Sequence, residues 1–305
     1  MMNAATVITA IILIIIAIMI VMGRLLSDLL MGIKRQSYAE AREWQEEHYD
    51  LNWYDLLEKE TYKFNSFDGY ALNVQTLINP KPSKDYVIIS HGYTDNRYGA
   101  LKYAKIYLDL GYNVITYDLR GHGENEPTYC TYTVRERKDL RDLIKDAIGR
   151  YPDMEALGLH GESLGAATSI AVLNYQPDID FVVSDCAFSE ITSVLEGGLR
   201  AIHMPAGLLR LAGFFVKMRF GVSLNAMRPI DCLKGNKIPI LFIHGEADDL
   251  IPPSHSEALL IATEGYKDFR LIKGAGHAES VITAPEEYAG YVKEFLDMVY
   301  NNKDK

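Results

Sequence analysis

The chain is short of cysteine, short of positive charge and without internal repeats or low-complexity tracts, and each shortage removes a class of function. Its 305 residues hold three cysteines, Cys130, Cys186 and Cys232. They are odd in number and widely spaced, so they form neither a complete disulfide framework nor a thiolate zinc site. Reduced, buried thiols are the expectation. Lys and Arg number 31 against 41 Asp and Glu, a formal net charge of −10, whereas a nucleic-acid partner needs a clustered basic surface. No nucleic-acid partner is expected. There is no H-E-x-x-H run and no close His/Asp ligand cluster to hold a metal, and nothing in the sequence implies an organic cofactor. No cofactor is therefore expected.

Charge is missing altogether from Ala4 to Gly23, and about 20 apolar residues suffice for a helix to cross a bilayer core. A helix apolar on every side suits lipid better than the edge of a small domain. A signal peptide would carry positive charge before the run and a small-residue cleavage site after it, and neither is present. An uncleaved anchor over residues 1–23 is the expectation. Arg24, Lys34, Arg35 and Arg42 follow the run while no Lys or Arg precedes it, so the positive-inside rule places the remainder in the cytoplasm. The expected protein is single-pass in the cell membrane. Residues 24–59 read as a charged connector helix whose Trp44, Trp53, Tyr54 and Leu57 pack on the domain that follows.

From residue 60 to 305 the pattern is that of one α/β domain. TYKFNSF and YALNVQTLI flank Asp68-Gly69 and read as an opening antiparallel hairpin. Short apolar strands then alternate with helical stretches: DYVIIS, NVITYD, EALGLH, DFVVSD, IPILFIH and DFRLIK, which implies a mostly parallel sheet flanked by helices. Catalytic residues in such folds follow the carboxyl ends of strands. One insertion breaks the alternation, residues 187–237, rich in Leu, Ile, Met, Phe and Gly; it reads as a helical lid. Within it, from Ile191 to Phe220, Arg200, Arg210, Lys217 and Arg219 stand against the single acid Glu196. A lid packed over its own site is the plainer reading, and a lid touching anionic lipid is the other.

Gly161-Glu162-Ser163-Leu164-Gly165 matches G-x-S-x-G between EALGLH and a helix that starts with the small Ala166 and Ala167. In that setting the serine occupies a sharp strand-to-helix turn. A serine hydroxyl is a weak nucleophile at neutral pH, so it needs a histidine base, itself oriented by a carboxylate. Downstream, Asp248 and Asp249 follow IPILFIH and His277 follows DFRLIK, in the chain order Ser, Asp, His. An oxyanion hole needs the N–H of the residue after the nucleophile and a second N–H from the loop after an early strand. Leu164 supplies the first, and Tyr93, after His91-Gly92 at the end of DYVIIS, is assigned the second.

These motifs resemble the α/β-hydrolase superfamily over about residues 60 to 300. The resemblance is strongest to bacterial, membrane-anchored serine hydrolases similar to serine aminopeptidase and prolyl-oligopeptidase-like enzymes. HGEADDLIP is similar to that family's G-x-x-D-x-x-V-P, with Gly245, Asp248, Ile251 and Pro252 in register, and so points to Asp248 over Asp249. YDLRGHGEN resembles its D-x-R-G-x-G loop through Asp118, Arg120, Gly121 and Gly123. The three-glycine oxyanion motif of many lipases is absent, which counts against a bulky lipid substrate. The resemblance implies a serine hydrolase with Ser163, Asp248 and His277 as triad, working through an acyl-enzyme. The apolar insertion favours carboxylic esters of small or acyl substrates. Thioesters and aminoacyl substrates remain open, Glu162 and Asp95 being carboxylates available to hold an amine, as does a catalytically silent hydrolase-fold binding protein.

Overall fold

The computed structural model describes residues 3–303. Eight strands form one sheet in the order β1-β2-β4-β3-β5-β6-β7-β8: β1 (Lys59–Asn65), β2 (Ala71–Leu77), β3 (Asp85–Ser90), β4 (Asn113–Tyr117), β5 (Ala156–Glu162), β6 (Phe181–Asp185), β7 (Ile240–Gly245) and β8 (Lys267–Ile272). β1 pairs antiparallel with β2 and β2 with β4, and every other pairing is parallel. The opening hairpin turns where Asp68-Gly69 stands, with Gly69 at φ 79°, a left-handed conformation that costs glycine nothing.

The parallel strands read as continuous apolar runs because both of their faces are covered. Side chains alternate across a strand, and the two cores divide accordingly. Ile88, Val182 and Phe242 face one core, and Val87, Ile89, Phe181, Val183 and Leu241 the other. The helices follow in chain order: α1 (Ala4–Met31), α2 (Tyr38–His48), α3 (Asn52–Leu56), α4 (Leu101–Asp109), α5 (Glu136–Arg150), α6 (Leu164–Ala171), α7 (Ile191–Ala201), α8 (Gly207–Phe220), α9 (Ser254–Ala262), α10 (Ser280–Thr283) and α11 (Pro285–Lys303). The 187–237 insertion, between β6 and β7, carries α7, α8 and two short 3-10 turns.

The N-terminal region differs from the expectation in two ways. First, α1 does not end at Gly23 but runs on to Met31, and its last turns are packed: Gly23, Ser27 and Met31 form a buried stripe at i, i+4, i+8. α8 covers its first two members, Gly23 and Ser27. Phe215 lies so close to Gly23 that a methyl there would overlap its ring, and Arg219 donates to the Arg24 carbonyl at 3.0 Å and pairs with Asp28 at 2.7 Å. Gly23 leaves the room that the Phe215 ring occupies. Second, the connector is not one helix. α2 starts on a capping box in which Ser37 and Glu40 satisfy each other's backbone N–H groups, and it stops at Tyr49, before the separate short α3. Of the expected packing residues, Tyr54 is fully buried with its hydroxyl on Gln75 at 2.8 Å, and Trp44, Trp53 and Leu57 are partly buried.

The segment after α1 is tied to loops at the carboxyl edge of the sheet. Cys130 donates its N–H to the Met31 carbonyl at 2.9 Å, Tyr132 its hydroxyl to Leu30 at 2.7 Å, and Tyr93 its hydroxyl to Gly32. Gln36 donates to the Thr94 carbonyl at 2.9 Å. All three cysteines are buried and unpaired.

Candidate active site

Ser163 sits between β5 and α6 at φ 51°, ψ −113°, a strained left-handed conformation for a side chain with a Cβ. Its surroundings fix it there. A methyl on Gly161 would strike the backbone of Gly165, and one on Gly165 would strike the carbonyls of Ser90 and His91, so the two glycines let the turn nest against the end of β3. Gly92 borders the serine from that side, its missing Cβ position 3.8 Å from the Ser163 Cβ.

The structure brings Ser163, His277 and Asp248 together from three loops. Ser163 Oγ lies 2.9 Å from His277 Nε2, and His277 Nδ1 lies 2.7 Å from Asp248 Oδ2. Asp248 Oδ1 accepts the N–H groups of Leu250 at 3.1 Å and Ile251 at 2.8 Å. Its Oδ2 also lies 3.2 Å from Nε2 of the fully buried His244, which is within 2.7 Å of the Ile251 carbonyl. Burial raises the Asp248 carboxyl, but hydrogen bonds from His244 and His277 outweigh it and hold the group well below the ordinary carboxylate range. Burial likewise lowers His277, and the Asp248 carboxylate overcomes it, raising the imidazole above its ordinary value. Asp249 is exposed and turned away from this chain of groups.

Tyr93 directs its side chain away from the serine, stacking on Tyr132 at 6.0 Å and bonding Gly32. Among the described residues neither the Tyr93 N–H nor the Leu164 N–H has a protein acceptor. His91 accepts the Leu119 N–H at Nε2, 2.8 Å, so its Nδ1–H donates to the Gly92 carbonyl at 2.7 Å. That pair of bonds pins the β3 loop to the Asp118–Gly123 turn. In the turn, Asp118 accepts from the Arg97 backbone and side chain at 2.9 and 3.0 Å, and the buried Arg120 bonds Asp139 at 2.8 Å and Asp68 at 3.0 Å.

A buried polar cluster behind the serine escaped the sequence reading. Lys102 pairs with Glu162, the residue before Ser163, and its ammonium lies 3.4 Å from the carbonyl of Ala278, the residue after His277. The Tyr103 hydroxyl donates to Glu162 at 2.6 Å and lies 3.1 Å from Asp185. Burial, with the charge of Glu162 beside it, pushes the Asp185 carboxyl up to about 6, and the same two causes push Asp95 up to about 7. A cavity of about 210 Å³ opens next to this cluster, walled by Trp44 and Gln45 of α2 and by Tyr93, Asp95, Lys102 and Glu162. A larger one of about 620 Å³ lies in the lid between α7 and α8, and Ser163 does not line it.

The profile of the serine aminopeptidase S33 family matches residues 81–212, and the esterase Pf2001 of Pyrococcus furiosus superposes with a TM-score of 0.68 at 22% identity, over 88% of this chain and 98% of that one. The chain belongs to the α/β-hydrolase superfamily. This hydrolase is also similar, over nearly its whole length, to the uncharacterized protein YqkD of Bacillus subtilis (strain 168). The identity is 31% over 284 residues, 91% of this chain and 93% of that one. A more distant relative is the uncharacterized protein Rv2307c of Mycobacterium tuberculosis (strain ATCC 25618 / H37Rv), 26% identical over 69% of each chain. The match to YqkD takes in more of the chain than the family profile does.

Proposed function

We propose that the protein is a serine hydrolase that cleaves carboxylic esters of small or acyl substrates through an acyl-enzyme intermediate. The observation that carries the proposal is the unbroken relay from Ser163 to His277 to Asp248, at 2.9 and 2.7 Å, on a strained strand-to-helix turn. His277 Nε2 takes the Ser163 proton as Oγ attacks the acyl carbon, and Asp248 holds the imidazole through Nδ1–H and supports the positive charge it gains. The N–H groups of Tyr93 and Leu164 have no acceptor among the described residues and receive the oxyanion. The proton on His277 then passes to the leaving alkoxide; a water, deprotonated by the same nitrogen, attacks the acyl carbon, and the Ser163 Oγ leaves with the proton that His277 returns, releasing the acid.

Esters are favoured over aminoacyl substrates by the state of the nearby acids. Glu162 is occupied by Lys102 and Tyr103, and burial, with Glu162 beside it, raises Asp95 to about 7, so a substrate ammonium would meet one carboxylate already paired and one only partly ionised at neutral pH. We further read α1 as an uncleaved membrane anchor with the hydrolase domain on the cytoplasmic side. The apolar part of α1 is long enough to cross a membrane and entirely exposed, whereas Gly23, Ser27 and Met31 belong to the packed fold. Hydrolysis of acyl esters of increasing chain length beside aminoacyl amides tests the substrate class. Ester turnover well above amide turnover is expected, and faster amide cleavage would replace the ester reading with a peptidase one.

A further inference from the structure

One face of the lid has no partner in the fold. Along α8, Leu209, Ala212, Phe215 and Val216 are buried, while Arg210, Phe214, Lys217 and Met218 form an exposed stripe at i, i+4, i+7 and i+8. Phe214 is 63% and Met218 60% exposed, and Arg210 and Lys217 have no ion-pair or hydrogen-bond partner among the described residues. Large apolar side chains interleaved with unpaired cations are the composition of a helix lying in a lipid interface.

The position of this face points to the same occupant. α8 runs in the same direction as α1, with Phe215 against Gly23 and Arg219 against Ser27 and Asp28. Its N-terminal turn therefore extends toward the apolar length of α1, together with the exposed loop that contains Ile202 and Met204. The exposed stripe lies beside the point where α1 leaves the domain, and Arg200, Arg210 and Lys217, which have no carboxylate partner among the described residues, complement anionic head groups.

We infer that the outer face of α8 and the 202–206 loop lie in the head-group zone of an anionic leaflet, the one from which α1 emerges. This rests on α1 being a membrane span. The lid is then held by lipid on one side and by α1 on the other, and the substrate that suits this arrangement is an acyl ester that partitions into the leaflet.

Nitroxide labels on the full-length protein test the placement, because the three native cysteines are buried. Single Phe214→Cys, Met218→Cys, Ile12→Cys and Ile148→Cys variants are labelled and reconstituted in phosphatidylcholine vesicles with and without phosphatidylglycerol. Collision with oxygen, which concentrates in lipid, is compared with collision with a water-soluble nickel chelate. Labels at 214 and 218 are expected to favour oxygen, as at 12, while 148 on α5 favours nickel. Adding Lys217→Glu, or omitting phosphatidylglycerol, should move the 214 label toward nickel. An oxygen-favouring label at 12 with nickel-favouring labels at 214 and 218 would overturn the lid placement and leave the span intact. A nickel-favouring label at 12 would overturn the span reading and the lid placement with it. A depth at 214 that ignores both phosphatidylglycerol and Lys217→Glu would overturn the recognition of anionic lipid.

Discussion

Ser163 holds its strained conformation because Gly161, Gly165 and Gly92 leave room for the turn, and the strain aims Oγ at His277. Ser163→Ala is expected to cut turnover of an aryl ester by roughly 10⁴-fold or more with an unchanged melting curve; activity near wild type would remove the serine from the mechanism. Asp248→Asn should cost about 10⁴-fold in kcat, since an asparagine no longer fixes the histidine tautomer, whereas Asp249→Asn on the exposed neighbour should leave kcat unchanged. The reverse order would move the carboxylate role. The rate needs neutral His277, and the Asp248 carboxylate raises that imidazole, so activity should fall as pH drops, with a midpoint above the ordinary value near 6.5. In Asp248→Asn burial is opposed only by the charges of Glu162 and Asp185, and an NMR titration should find the His277 pKa lower than in the wild type; a pKa that does not move would contradict the pairing. Ser163, Asp248 and His277 were legible in the sequence because each follows the carboxyl end of a recognisable strand. Lys102, Tyr103, Asp185 and His244 were not, because only tertiary packing brings α4, β6 and β7 to the serine.

At the scale of elements, the strands and the opening hairpin were legible from short β-branched runs and Asp68-Gly69, while the end of α1 was not. The sequence loses its continuous apolar character after Gly23, yet Leu25, Leu26, Leu29, Leu30 and Met31 prolong the helix, and it is α8, distant in sequence, that covers Gly23 and Ser27. The consequence is a difference between two truncations. Deleting residues 1–21 should leave a soluble, active enzyme. Deleting residues 1–32 removes Met31 from the core and the carbonyls that accept from Tyr93, Cys130 and Tyr132, and should abolish activity or folding. Equal activity of the two would show that the end of α1 does not support the Tyr93 loop. α4 makes a second test possible. Lys102→Met strands Glu162 as a buried, unpaired carboxylate and should destabilise the protein by about 3–5 kcal/mol in urea unfolding. Adding Glu162→Gln should recover part of that loss, and no loss in the single variant would mean that the pair is not a stabilising contact.

For the whole molecule, the sheet order places the ends of β3, β5, β7 and β8 at one edge, and the nucleophile, its relay and the β3 loop all come from that edge. The connector read from the sequence also walls the site: Trp44 and Gln45 of α2 line the cavity beside Glu162, and Gly32 holds Tyr93. The N-terminal segment is thus tied to the candidate site more closely than a chain of three separate parts implies. The central claim is that Ser163 becomes acylated by virtue of His277. It is tested most directly by treating the full-length protein with a fluorophosphonate and locating the adduct by peptide mass spectrometry. The account predicts a single adduct on Ser163 whose formation slows by orders of magnitude in His277→Ala. A folded protein that hydrolyses esters yet carries no adduct at Ser163, or carries it on another residue, would contradict the account.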